Sequence, residues 1–165
     1  MESITRPGMP HYDALREYAK RMPEINPEEV LLMLEVRDAA NKIQKEIFDV
    51  LEAEHQLSAG KLHVLILLHQ HYEGLEPSVL ADYAGVSRAT ISVMAKRMKR
   101  DGLVEVSFKQ ADGRSKVLSL TDAGMKFIES VLPQHYLRIS SLMKRLNTEE
   151  QKTLISLLKK LGRYE

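Results

Sequence analysis

The stretch that decides the fold is "LADYAGVSRATISVMAKRMKRDGLVEV", residues 80–106. A short apolar segment carrying Leu80 and Ala81 runs into Gly85-Val86, and Ser87 then opens a longer segment that ends at Gly102. Glycine tolerates the positive φ that a sharp turn between helices demands, and serine is a good N-cap. Two helices joined by so tight a turn make a helix-turn-helix. Val86, Ile91, Met94 and Met98 are spaced to form one buried stripe, which leaves Arg88, Ser92, Lys96, Lys99 and Arg100 facing outward. Hydroxyls can bond phosphates or base edges, and Lys and Arg can do both with added charge.

Immediately downstream, 103–108 and 116–120 read as strands, with Ala111-Asp112-Gly113-Arg114 between them. Asp-Gly flanked by β-formers is a hairpin signal, so the helix-turn-helix carries a wing. Arg114 sits at the expected tip, where a cation can enter a narrow minor groove beside the site the helix reads. Lys109 and Lys116 lie on the arms. Asp112 would repel phosphate, and its expected role is to fix an Arg by a charge-assisted hydrogen bond. The residues expected to face DNA are therefore Ser87, Arg88, Thr90, Ser92, Lys96, Lys99, Lys109, Asp112, Arg114 and Lys116.

Outward from this centre the chain reads as helical. Residues 1–25 form an N-terminal arm with Pro7, Pro10 and Pro23 and a short helix over 13–21. Asn26-Pro27-Glu28-Glu29 is a capped helix start that predicts a long helix to about Glu54. Ser58 opens the next helix, and its run Leu62, Val64, Leu65, Ile66, Leu67, Leu68 predicts burial on all sides. Glu76-Pro77 begins the short first helix of the motif. Thr121 caps a further helix in which Ile128, Leu132, His135, Ile139, Leu142 and Leu146 follow a coiled-coil-like spacing. Pro133 lies within it and is expected to kink it. Thr148-Glu149-Glu150-Gln151 reads as a capping box for a last helix ended by Gly162. The fold class is mainly α: a winged helix-turn-helix at 58–120, with a helical dimerisation region at 26–57 and 121–165. Ile128, Leu132, Ile139 and Leu142 are the expected dimer contacts, because a small winged head leaves a long apolar seam without an obvious cover.

Composition narrows the function. The 165 residues suit one domain with extensions. There is no Cys, which excludes disulfides, thiolate metal sites and a cysteine switch. No apolar run reaches the length of a membrane span, and the N-terminus lacks a signal-peptide pattern, so a cytoplasmic location is expected. Net charge is only +1, but residues 86–120 hold eight Lys or Arg against three acids. That local balance of +5 leaves −4 for the rest of the chain and points to a polyanion-facing surface. No phosphate loop, zincin spacing or placed triad suggests an enzyme. His69 and His71 are two apart and point to different sides of a helix. His63 and His135 lie on apolar helices and read as hydrogen-bonded core residues, so no metal site is expected.

The same residues resemble those of the multiple-antibiotic-resistance regulator (MarR) family of winged-helix transcription factors. "DGRSKVLSLTDAG" matches that family's wing signature at Asp112, Arg114, Leu120, Thr121 and Gly124, and "GVSRATIS", "DGLV" and "LSAGKLHVLILL" add to it. The likeness covers roughly 30–162. Glu76 departs from it, since Ser or Thr usually caps there. The resemblance implies a homodimer with intertwined terminal helices, a near-palindromic double-stranded DNA site, and repression relieved by a small phenolic or anionic effector. No other cofactor is implied. Two alternatives remain open at this point. One is a winged-helix protein-interaction module without DNA affinity, because fold does not fix function. The other is a metal-responsive regulator.

Overall fold

A computed structural model describes residues 12–108 and 116–162. Within them the order is α1 (Tyr12–Arg21), α2 (Pro27–His55), α3 (Ala59–Gln70), α4 (Pro77–Ala84), α5 (Arg88–Arg100), β1 (Val104–Phe108), β2 (Lys116–Leu120), α6 (Asp122–Met143) and α7 (Thr148–Gly162). The mainly helical class with a two-stranded wing is as the sequence predicts. The chain divides into two compact units, Met1–Glu46 and Ile47–Glu165, so the division falls inside α2.

In the first unit, α1 begins with Asp13 and ends with Lys20 and Arg21, charges that complement the helix dipole at both ends. Asn26 caps α2 by accepting a hydrogen bond from the Glu28 amide at 3.0 Å. Lys42 reaches back one turn to Asp38 at 2.6 Å.

The second unit holds the core that positions the reading head. Leu51 and Leu57 flank the end of α2, and Leu62, Val64, Leu65 and Leu68 of α3 pack with Leu80, Ile91, Met98, Val104, Leu118 and Ile128 as the buried interior. Alpha-helix α2 stops because Gln56 takes a left-handed backbone, φ 52°. That turn lets the Leu57 amide donate to the Leu51 carbonyl at 3.3 Å and drops Leu57 into the core, a Schellman-like stop. Contrary to the all-round burial expected of α3, its side bearing His63 and Gln70 is exposed. Only the stripe from Leu62 to Leu68 is enclosed.

Strands β1 and β2 pair antiparallel, with Val104 opposite Leu120 and Val106 opposite Leu118. Leu75, between α3 and α4, bridges Leu118 through two backbone bonds of 2.9 and 2.8 Å. The base of the wing is thereby fastened to the start of the helix-turn-helix.

Helix α6 runs unbroken through Pro133. Ile128, Val131, His135 and Leu142 are buried, whereas Leu132 and Ile139 remain half-exposed. Ile128 and Leu142, expected at a dimer interface, are thus covered by their own chain and serve its core. The start of α7 also corrects the sequence reading. The cap is Asn147, not Thr148: the Asn147 side chain accepts from the Glu149 and Glu150 amides at 3.0 Å each, and Glu150 accepts from the Asn147 amide at 2.7 Å. The capping box lies one residue earlier because Asn is at least as good a cap as Thr and its Glu partner is correctly three residues on. Gln151, taken as the box acceptor, instead donates to the Met143 and Leu146 carbonyls at 3.0 and 2.9 Å, closing the end of α6.

Candidate nucleic-acid interface

The turn between α4 and α5 is built by Gly85. It sits at φ 64° with open space where a Cβ would be, so its need for glycine is conformational rather than steric. The Val86 amide donates back to Ala81 at 3.0 Å, which closes α4 and aims the chain into α5. Glu76 begins α4 without a side-chain cap bond, matching its departure from the usual Ser or Thr. Leu80 and Ala81 are buried beneath the junction, and Ile91 and Met98, 1% and 0% exposed, anchor α5 from the other side.

Two members of the expected buried stripe behave differently. Val86 is exposed, because the left-handed Gly85 swings the turn away from the core, and Met94 is only half-buried. The residues expected to face outward all do so: Arg88, Ser92, Lys96, Lys99 and Arg100 are exposed, and so are Thr90, Ala89, Val93 and Arg97.

Ser87 caps α5 by accepting from the Thr90 amide at 3.1 Å, and the two hydroxyls lie 2.8 Å apart. Two hydroxyls carry two hydrogens. Their mutual bond consumes one, so the pair keeps one hydrogen to offer a phosphate at the helix N-terminus.

At the other end, Asp101 accepts from the Lys61 ammonium at 2.8 Å, and the Arg100 guanidinium lies 3.6 Å away. The hydrogen bond from Lys61, together with the charges of Lys61 and Arg100, holds the Asp101 carboxyl below its ordinary value against a partial burial penalty. The acid at the end of α5 is thereby engaged, and the bond ties α5 to the first turn of α3.

The Leu120-Thr121-x-x-Gly124 part of the wing signature has a structural role. The Thr121 hydroxyl donates to the Gly102 carbonyl at 2.6 Å and accepts from the Gly124 amide at 3.0 Å. The Thr121 amide donates to the Leu103 carbonyl at 3.1 Å. Gly124 is buried, and a Cβ there would overlap the Leu103 carbonyl oxygen. The motif locks the start of α6 onto the turn between α5 and β1. Lys116 is exposed at the start of β2. Lys109, Asp112 and Arg114 lie outside the described residues.

A second polar locus lies away from this face. His135 is buried on α6 beside Phe48 of α2, ring centroids 6.1 Å apart. Its Nδ1 and Nη1 of Arg138 are buried without a hydrogen-bond partner, although Nη2 of Arg138 approaches Glu54 at 4.0 Å. Burial, and secondarily the Arg138 charge, press the His135 pKa below its ordinary value. The expectation of a hydrogen-bonded core histidine fails at both candidates: His63 is exposed, and the buried His135 leaves Nδ1 unpartnered. Among the described residues no group of three His, Cys, Asp or Glu could hold a metal ion, and no helix is long and apolar enough to cross a membrane.

A family model described as the MarR family matches residues 57–116, from the end of α2 through the reading head to the start of β2. An HTH-type transcriptional regulator of Bacillus anthracis is 30% identical over 109 residues, 66% of this chain and 71% of the relative. The chain belongs to the MarR family. As a MarR-family protein it is a helix-turn-helix transcriptional regulator. The HTH-type transcriptional repressor YetL of Bacillus subtilis is 29% identical over 151 residues, covering 91% of this chain and 90% of the relative. Two solved structures share the MarR fold. The MarR-family regulator Sco3205 of Streptomyces coelicolor, in complex with DNA, gives a TM-score of 0.76 at 23% identity over 84% of this chain and 88% of that one. The PcaV regulator of the same organism, in complex with its natural ligand, gives 0.64 at 21% over 76% and 90%.

Proposed function

We propose that this MarR-family protein is a homodimeric repressor that binds a near-palindromic operator in double-stranded DNA and releases it when a small effector binds. The observation that carries the DNA reading is the outward face of α5. Arg88, Lys96, Arg97 and Lys99 are exposed on one short helix with Thr90 and Ser92 between them, and the neighbouring Asp101 is engaged by Lys61. Such a face supplies phosphate contacts for affinity and base-edge donors for sequence. Ser87 and Thr90 stand at the backbone, and Arg88, Ser92 and Lys96 enter the major groove. Lys109, Lys116 and Arg114 belong to the wing reading, with Arg114 in the minor groove and Asp112 steadying it. The protein acts by binding, not by catalysis.

The dimer reading is supported by α7, none of whose residues is buried. Leu154, Ile155, Leu157, Leu158 and Leu161 are exposed along its length, more apolar surface than a soluble helix leaves open. Half-exposed Leu132 and Ile139 of α6 are the remaining seam contacts. The effector reading is supported by the ligand held in the PcaV structure and, in this chain, by the unpartnered nitrogens of His135 and Arg138. A phenolic or anionic ligand would give both an acceptor. Recovery of enriched palindromes from genomic fragments by the purified protein tests the whole reading. Half-sites about one helical turn apart, roughly 10 base pairs, are expected; failure to enrich any sequence would exclude an operator-binding role.

A further inference from the structure

The outermost line of α5 is uncharged in its first half and cationic in its second: Ala89 and Val93, then Lys96 and Arg100. Successive residues of a helix are about 100° apart, so Ile91 and Met98, seven residues apart, define its buried side. Ala89 and Val93 fall on the opposite side, at the crest of the exposed face. Val93 is 52% exposed, and Val86 in the preceding turn is 38% exposed. Two small aliphatic side chains thus hold the N-terminal half of the crest, with Ser92 on one flank and Thr90 and Arg97 on the other, while Lys96 and Arg100 continue the crest towards the C-terminus. Stability does not explain valine at such a position. It is a poorer helix former than Lys, Gln or Ala, and a Val that leaves half its surface in solvent gains less from packing than a buried one.

An aliphatic half-crest that gives way to cations matches a surface that is apolar in the middle and anionic at the margins. The floor of the major groove is such a surface wherever thymine C5-methyl groups line it, because phosphates border the groove on both sides. We propose that Val93, with Ala89, reads thymine methyl groups, so that Val93 is a specificity-determining residue. The proposal rests on the DNA-binding reading above. Residues 89 and 93 are about 6 Å apart along the helix axis, close to two base-pair steps of roughly 3.4 Å. The operator half-site should therefore carry thymines within about two steps of each other beneath the middle of α5.

The test is a uracil scan of a selected operator. Each thymine is replaced singly by deoxyuridine, which removes only the methyl group, and binding is measured by anisotropy. Burying one methyl is worth about 0.8 kcal/mol, so one or two positions per half-site should lose about three- to fivefold in affinity while the others stay unchanged. Val93→Ala should abolish most of that sensitivity, and Val93 is exposed, so the variant should melt like wild type. Tight, sequence-specific binding by wild type with a flat uracil scan would overturn the proposal and leave the DNA reading intact. So would an unchanged scan in Val93→Ala. Absence of salt-dependent binding to any DNA would remove both.

Discussion

Gly124 shows how much one hydrogen atom in place of a methyl can decide. The residue is buried against the Leu103 carbonyl, so Gly124→Ala must push α6 away from the turn that follows α5. A destabilisation of about 1–3 kcal/mol is expected, read as a lower urea midpoint with unchanged slope. Gly85→Ala faces open space and should cost only what a left-handed backbone costs an L-residue, about 1–2 kcal/mol. His135 makes a pH prediction. Its folded pKa lies below its ordinary 6.5, chiefly through burial, so the unfolded chain binds the proton more readily. Stability from this residue is full above about 6.5 and declines as pH falls from there towards the folded value. Thermal melts between pH 7 and 5 should show wild type losing more stability than His135→Leu. Equal loss in the two would mean that His135 is not held neutral.

At the scale of elements, the reading head was legible because its punctuation is local. Gly85, Ser87 and Gly102 each act within a few residues, and each stands where a cap or turn requires it. Burial was less legible because it depends on the direction of the chain after a turn. Val86 and Met94 fit a buried stripe by their spacing, yet in the fold Val86 is a surface residue and Met94 is only half-buried. His63 likewise shares a dense apolar run yet points out of it. The true cap of α7 was missed by one residue because Asn147 and Thr148 are both competent caps, and only the hydrogen bonds choose between them. The wing signature was recognisable, but the function of its second half was not: Thr121 and Gly124 fasten two elements that no linear pattern shows to be in contact. At the wing tip the expectation still comes from the sequence alone. Arg114→Ala should weaken operator binding by about 1–3 kcal/mol, most on A·T-rich flanks, without lowering the melting temperature. Equal affinity at every salt concentration would show that the tip does not touch DNA.

For the whole molecule, the exposed apolar residues of α7 call for a cover. If a second copy supplies it, the melting temperature should rise with protein concentration, because association stabilises only the folded state. Leu157→Asp with Leu161→Asp should convert the sedimenting species from dimer to monomer at micromolar concentration. A wild-type monomer whose unfolding ignores concentration would remove the dimer, and with it the palindrome. The central claim, that the cationic face centred on α5 binds DNA, is tested most directly by the salt dependence of affinity for a selected operator. Each neutralised phosphate adds about −0.9 to the slope of log K against log salt. Two heads, each with several exposed cations, predict a slope steeper than about −4, made shallower by Lys96→Ala combined with Lys99→Ala. A flat dependence, or equal slopes for wild type and the double variant, would contradict the account.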